Sequence, residues 1–263
     1  MIKPLPEHVY NKHPSLRQSD FKNFLISPRE YQRRKDEDIP KEHFSLGTIA
    51  HALVLEPGAI KDKGRFVQYD QLNPTTGKPY QMKSQKCQDF VAGTPAGVTI
   101  YTKEILQDAM TIAEYVLRYV NLPPPSYREL SAFTTLHGVN IKARADWISW
   151  DRDGCFIWDL KLTRDLDRWA REARYVLKYH IAAVWYANCF FEGLGTGPGR
   201  WQPDGMKFLV VSNDPENLDH MVYEPSLDAI AEAAELIDTY LPEFRECREN
   251  NEWPGRWARA REF

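Results

Sequence analysis

Cysteine is sparse in this chain of 263 residues and never clustered: Cys87, Cys155, Cys189 and Cys247 stand far apart, with no Cys-x-x-Cys pair. That spacing argues against a structural zinc or iron–sulfur site and leaves buried free thiols as the simple reading. Long apolar runs are lacking, so no membrane-spanning helix is expected, and no signal-peptide pattern opens the chain; both point to a reduced, cytoplasmic setting. Positive charge is not in surplus either, the formal net charge being −3. The total therefore does not announce a nucleic-acid binder, but a nuclease needs only a local basic channel, and that class stays open. With no internal repeat, low-complexity tract or central linker, the expectation is one domain over residues 1–263, with residues 1–43 as a helical amino-terminal extension packed on it.

What is present is concentrated between Glu129 and Lys161. Glu129–Leu136 and Val139–Trp150 are rich in β-branched and aromatic residues and flank His137-Gly138, a plausible two-residue turn. A third run, Cys155–Leu162, follows the turn-forming Asp151-Arg-Asp-Gly154. Strand alternation puts Val139, Ile141, Ala143, Ala145 and Trp147 on one face and Lys142, Arg144 and Asp146 on the other. On the third strand Phe156, Trp158, Leu160 and Leu162 share a face, opposite Asp159 and Lys161. One face is expected to be core and the other to carry chemistry. Tight hairpins pair Leu136 with Val139 and Trp150 with Cys155. Without a bulge, the same count places Glu129 opposite Asp146 and Asp146 opposite Asp159. Three carboxylates in one row repel one another, and a divalent cation with oxygen ligands offsets that repulsion.

Elsewhere the pattern is mostly helical. Residues up to Pro14 read as extended and superficial. Ser15 or Ser19 caps Asp20–Ile26, Ser27-Pro28 starts Arg29–Lys35, and a charged connection runs to Glu42. Phe44–Leu55 is apolar nearly all round and hence buried; His51 on it is either a hydrogen-bonded core residue or a metal ligand. Gly58–Gly97 reads as loops, whose Lys78, Lys83 and Lys86 are solvated or touch a phosphate backbone. Thr102 caps a packing helix from Lys103 to about Val120, broken at Pro123-Pro-Pro125. Thr163 or Asp165 caps a helix to about Val176, whose Arg164, Arg168, Arg171 and Arg174 or Lys178 form either a solvent face or a phosphate-binding edge. Tyr179–Glu192 is an apolar helix with Lys178, Ala182 and Tyr186 along one face. Met206–Ser212 is a buried strand, parallel to its neighbour. Pro225–Glu249 is a long helix with a break expected at Pro242. The aromatic Trp253–Trp257 tail either caps the core or meets another subunit.

The ordered set formed by Gly47-Thr-Ile-Ala-His51, Glu129, Lys142-Ala-Arg-Ala-Asp146, Trp158-Asp-Leu-Lys161 and Tyr179-His180 leading to Tyr186 resembles the PD-(D/E)xK nuclease superfamily. Within it, the exonuclease VIII-like enzymes of phage and prophage recombination are the nearest in kind; Ser19–Tyr31 and Glu252-Trp-Pro254 resemble that family's opening and close. The resemblance implies a restriction-endonuclease-like α/β core with a mixed central sheet, antiparallel meander plus a parallel strand, flanked by helices. It implies Mg²⁺, with Mn²⁺ able to substitute, held by His51, Asp146, Asp159 and the backbone carbonyl of Leu160. Glu129, Asp146, Asp159 and Lys161 would be catalytic; Arg144, Arg164, Arg168, Arg171, Lys178, Tyr179 and Tyr186 would contact DNA. The implied activity is 5′ to 3′ resection of double-stranded ends by a ring-shaped homo-oligomer, in a bacterial or phage-infected cell, leaving a 3′ strand for a single-strand annealing protein. The alternatives are a non-catalytic DNA-end binder and an endonuclease or repair nuclease of the same fold. Ala182 departs from the family, where many relatives carry a glutamine.

Overall fold

A computed structural model describes residues 2–36, 46–56, 58–78, 80, 83–95, 97–152, 154–191 and 204–255. The expected helix start at Phe44, the charged connection to Glu42, and residues Glu192 and Trp257 lie outside them. At its centre is a sheet in the order β1-β5-β6-β7-β8-β9, with β2 also paired to β6. The strands are β1 (Ile2–Pro4), β2 (Leu16–Arg17), β5 (Tyr127–Leu136), β6 (Val139–Asp151), β7 (Gly154–Thr163), β8 (Gly205–Ser212) and β9 (His220–Tyr223); β3 (Phe66–Gln68) and β4 (Thr99–Tyr101) make a separate parallel pair. The chain is mixed α/β, and helices cover both faces of the central sheet.

Local sequence explains the meander. His137 and Gly138, both at positive φ (49° and 76°), close the β5–β6 hairpin with Leu136 opposite Val139, as a type I′ turn demands. Gly154, at φ 127°, closes the next hairpin and sets Trp150 opposite Cys155. β8 runs parallel to β7 from Phe156↔Gly205 to Thr163↔Ser212.

Two core clusters lie on opposite faces of the sheet. One joins Ile141, Ala143, Ala145 and Ile148 to Phe21 and Phe24 of α2 (Gln18–Ile26), Trp185 of α8 (His180–Phe191) and Phe244 of α9 (Leu227–Asn250). The other joins Trp147, Trp158, Leu160 and Leu209 to α4 (Leu46–Leu55) and α6 (Lys103–Tyr119). Trp147 and Trp158 are directly paired across β6 and β7 and stack at 5.4 Å with 8° between ring planes.

Several expectations are corrected here. Trp147 does not share a face with Ala145: it packs in the other cluster, whereas Ile148 joins Ala145. The change of face falls opposite Glu129, which lies between Arg128↔Trp147 and Leu130↔Ala145 and has a φ of 50°, rare for a non-glycine residue. Nor is one face of β6 left to chemistry. Lys142 is buried, and its ammonium donates to the carbonyls of Tyr10 and His13, each at 2.6 Å. Residues before Pro14 form β1, paired antiparallel with β5, and α1 (Glu7–Lys12), so they are not simply extended. Between Gly58 and Gly97 the chain holds β3 and α5 (Gln85–Gly93), packed around buried Tyr69, Cys87 and Ile100. Pro242 lies inside a continuous α9. The eighth helix starts at His180, so Lys178, at φ 52°, precedes it and shares no helical face with Tyr186. Trp253 caps the core, packing on Tyr31 and Phe244.

Candidate metal centre

The site lies where β6 and β7 part. Their ladder ends at Trp147↔Trp158, while β7 continues along β8 and β2 takes up pairing with β6 at Ile141 and Lys142. The expected direct pairing of Asp146 with Asp159 is therefore not made. Instead the Asp146 carboxylate reaches into the divergence and accepts the Leu160 backbone N–H at 2.9 Å.

α4 delivers His51 to the same point, its Nε2 2.8 Å from Asp146 Oδ2. Sixty-eight per cent of that imidazole is withdrawn from solvent, and its neighbours Ile49, Ala50 and Ala52 on α4 are buried. Ligand atoms of His51, Glu129 and Asp146 all lie within 4.8 Å of one another. Asp159 is outside that trio and pairs with Lys161 on its own strand; Glu129 pairs with Arg144. The expected row of three acids is thus two acids and a histidine, with the third acid held by the lysine two residues on.

The electrostatics are those of acids withdrawn from water with incomplete compensation. Burial pushes Glu129 up to about 7; Arg144 opposes that rise, and the neighbouring Asp146 adds to it. Burial also raises Asp159, and Asp146 adds to this against the pull of Lys161. Asp146 goes the other way: burial disfavours its charge, but His51 and Lys161 outweigh burial and hold it low. His51 is lifted to about 9, burial being overcome by Asp146 and, farther off, Glu129. Lys161 is raised despite burial, chiefly by Asp159 and Asp146. Glu129 Oε1 is buried with no hydrogen-bond partner. An orphaned buried carboxylate oxygen beside a second carboxylate and an imidazole nitrogen is a donor set that fits a divalent cation.

The remaining expected residues distribute unevenly. Tyr179 packs on Trp169 and Phe208, and the Lys161 ammonium lies 5.3 Å from its ring centroid. Tyr186 is half-buried, and burial together with Asp159 pushes its hydroxyl well above the ordinary phenol value. Arg164 and Arg171 are exposed, as is Arg168, which pairs with Asp165 on α7 (Leu166–Tyr175). Arg144 is only 14% exposed and committed to Glu129, which makes it part of the acidic cluster's own compensation. Lys22 was not foreseen. It reaches Tyr179 from α2, its ammonium 4.8 Å from the ring centroid. No local pattern could flag it, since the contact joins residues more than a hundred positions apart.

A family model described as a PDDEXK-like domain of unknown function (DUF3799) matches residues 18–261. Among solved structures, the crystal structure of a candidate exonuclease from Eubacterium rectale superposes with a TM-score of 0.53 at 13% identity, covering 99% of this chain and 96% of that one. At that identity the likeness is one of fold. The crystal structure of SSO0001 gives a TM-score of 0.30 at 13% identity, covering 85% of this chain and 86% of that one, too low for an argument. No curated protein matches the chain.

Proposed function

Because the chain belongs to the PDDEXK-like domain family matched over residues 18–261, we propose that it is a divalent-metal-dependent exonuclease acting on double-stranded DNA ends. The observation that carries this is the gathering of His51, Glu129 and Asp146 at the strand divergence, with the Asp159–Lys161 pair beside them. His51, Glu129 and Asp146, whose ligand atoms lie together, would hold Mg²⁺ or Mn²⁺, with Asp159 and the Leu160 carbonyl available beside them. The ion, when bound, supplies Lewis-acid polarisation of a phosphoryl oxygen and a lowered pKa for water.

The protein's own residues do the rest. Lys161, charged and fixed by Asp159, donates a hydrogen bond to the attacking water and neutralises charge developing on the phosphoryl oxygens. Asp146, fixed by the Leu160 N–H, keeps its position as substrate enters, so little reorganisation accompanies reaction. Water adds its oxygen to phosphorus and gives up a proton to solvent, the bond from phosphorus to the 3′ oxygen breaks, that oxygen takes a proton from solvent, and the products are a 3′ hydroxyl and a 5′ phosphate. Exposed Arg164, Arg168 and Arg171 on or beside α7 provide contacts to the sugar-phosphate backbone, as arginines commonly do. The finer reading is 5′ to 3′ resection by a ring-shaped homo-oligomer that hands a 3′ strand to a single-strand annealing protein.

The test uses linear and covalently closed duplexes with 5′ or 3′ labels, incubated with Mg²⁺ or with EDTA. Release of 5′-phosphorylated mononucleotides from the linear duplex, only with Mg²⁺, is expected. Equal cutting of closed circles would instead indicate an endonuclease, and binding without cleavage would indicate an inert end-binding module.

A further inference from the structure

The amino-terminal helix α2 sends one cation into the site that neither the acidic cluster nor the arginines of α7 account for. The Lys22 ammonium donates to the Leu177 carbonyl at 2.9 Å and lies 4.8 Å from the centroid of the Tyr179 ring, the ring that also carries Lys161 at 5.3 Å. We propose that Lys22 is a phosphate-binding residue of the substrate channel, taking a backbone phosphate adjacent to the one that is cleaved. The inference rests on the nuclease reading above and assigns the residue that fixes the next phosphate.

Three observations support it. An ammonium has three donors; one goes to Leu177, and among the described residues no carboxylate pairs with Lys22. A half-buried lysine held beside a second lysine with no anion of its own is electrostatically uncompensated, and an incoming phosphate supplies what is missing. The electrostatics agree: burial and then Lys161 draw the Lys22 ammonium down to about 8, opposed only by Asp159. Finally, the loop that Lys22 fastens is open to solvent. Tyr175, Val176 and Leu177 are exposed, and Lys178 follows at φ 52°, a backbone state lysine seldom adopts. A nucleic acid strand lying on this loop would pass beside Lys22, which is itself partly exposed.

The competing role is a tether that merely joins α2 to this loop. Lys22→Gln separates the two, because its amide keeps a donor for Leu177 while losing the charge; Lys22→Ala removes both. Binding of a short fluorescent duplex, measured without divalent metal across a series of salt concentrations, is the readout. Loss of one phosphate contact lowers the slope of log K against log salt by about 0.9. We expect that drop in both variants, together with a Lys22→Gln melting temperature within about 2 °C of the parent, as for a change that breaks no packing. A native slope and affinity in Lys22→Gln would overturn the proposal and leave a tether. Absence of duplex binding by the parent protein at every salt concentration would overturn the proposal too, whereas absence of linear-duplex cleavage with Mg²⁺ would overturn the nuclease reading beneath it, so the two failures are distinguishable.

Discussion

Lys161 and Asp159 stand two residues apart on β7 and so project to the same side, where they pair. The lysine's charge is fixed by the acids around it, not by solvent, for Asp159 and Asp146 keep it protonated against burial. A cation so held contributes to a transition state in which negative charge grows, and little to the binding of a duplex contacted at many phosphates. Lys161→Ala should therefore lower the cleavage rate by at least about 10²–10³-fold, the range for losing one such electrostatic group, while duplex affinity changes little. Single-turnover rates with anisotropy titrations check this; cleavage by the variant at the parental rate would remove Lys161 from the mechanism. Lys142, four residues before Asp146, illustrates the contrast. It also is a lysine on a central strand, but its donors go to carbonyls of the α1 segment, and it serves packing.

Where the signal is local, elements were readable from the chain. The α6 boundaries follow from the Thr102 cap, which accepts the Ile105 N–H, and from the spacing of Ala109, Ile112, Ala113 and Val116. Asp165 caps α7 in the same way, accepting from Arg168. The two hairpin turns then fix register, which brings Glu129 near Asp146. What escaped reading depends on distant partners. The positive φ at Glu129 and the parting of β6 from β7, where β2 pairs with β6 and β8 with β7, leave no mark in the local sequence, so the turn count alone predicts a pairing of Asp146 with Asp159 that the sheet does not make. α9 passes through Pro242 because burying Ile237, Leu241 and Phe244, each worth roughly 1.5–3 kcal/mol, outweighs a proline cost of about 3 kcal/mol.

At this scale too, Arg65 grips Glu56 at the end of α4 through two hydrogen bonds of 2.7 and 2.8 Å. Those bonds, against a smaller opposing effect of burial, lower the Glu56 pKa from its ordinary 4.5. A depressed folded-state pKa stabilises the fold above the unfolded value, and that contribution is lost as pH falls through the folded one. With each side chain about 30% exposed, solvent screening limits the pair to about 1 kcal/mol. Glu56→Gln should lower the melting temperature by about 2–4 °C at pH 7, and the difference should close as pH falls below 4.5. A difference that does not shrink as pH falls below 4.5 would contradict the ion-pair account.

For the whole molecule, both faces of the central sheet are occupied by helices, and all four cysteines are buried in the packing clusters as thiols outside any disulfide. An aromatic disulfide reagent should accordingly titrate no thiol in the native protein and four in guanidinium; rapid native labelling would show that one of these clusters opens. Among the described residues no helix is long and apolar enough to cross a membrane. The same layering places the candidate site: α4 comes from one face with His51, and α2 and the segment before α8 come from the other with Lys22 and Tyr179. The claim on which this account stands is that a divalent cation belongs where β6 and β7 part. Anomalous scattering from Mn²⁺ soaked into crystals tests it most directly: the account predicts a peak among His51, Glu129, Asp146 and Asp159. A fully occupied peak elsewhere, or none at saturating Mn²⁺ with His51 still bonded to Asp146, would contradict it.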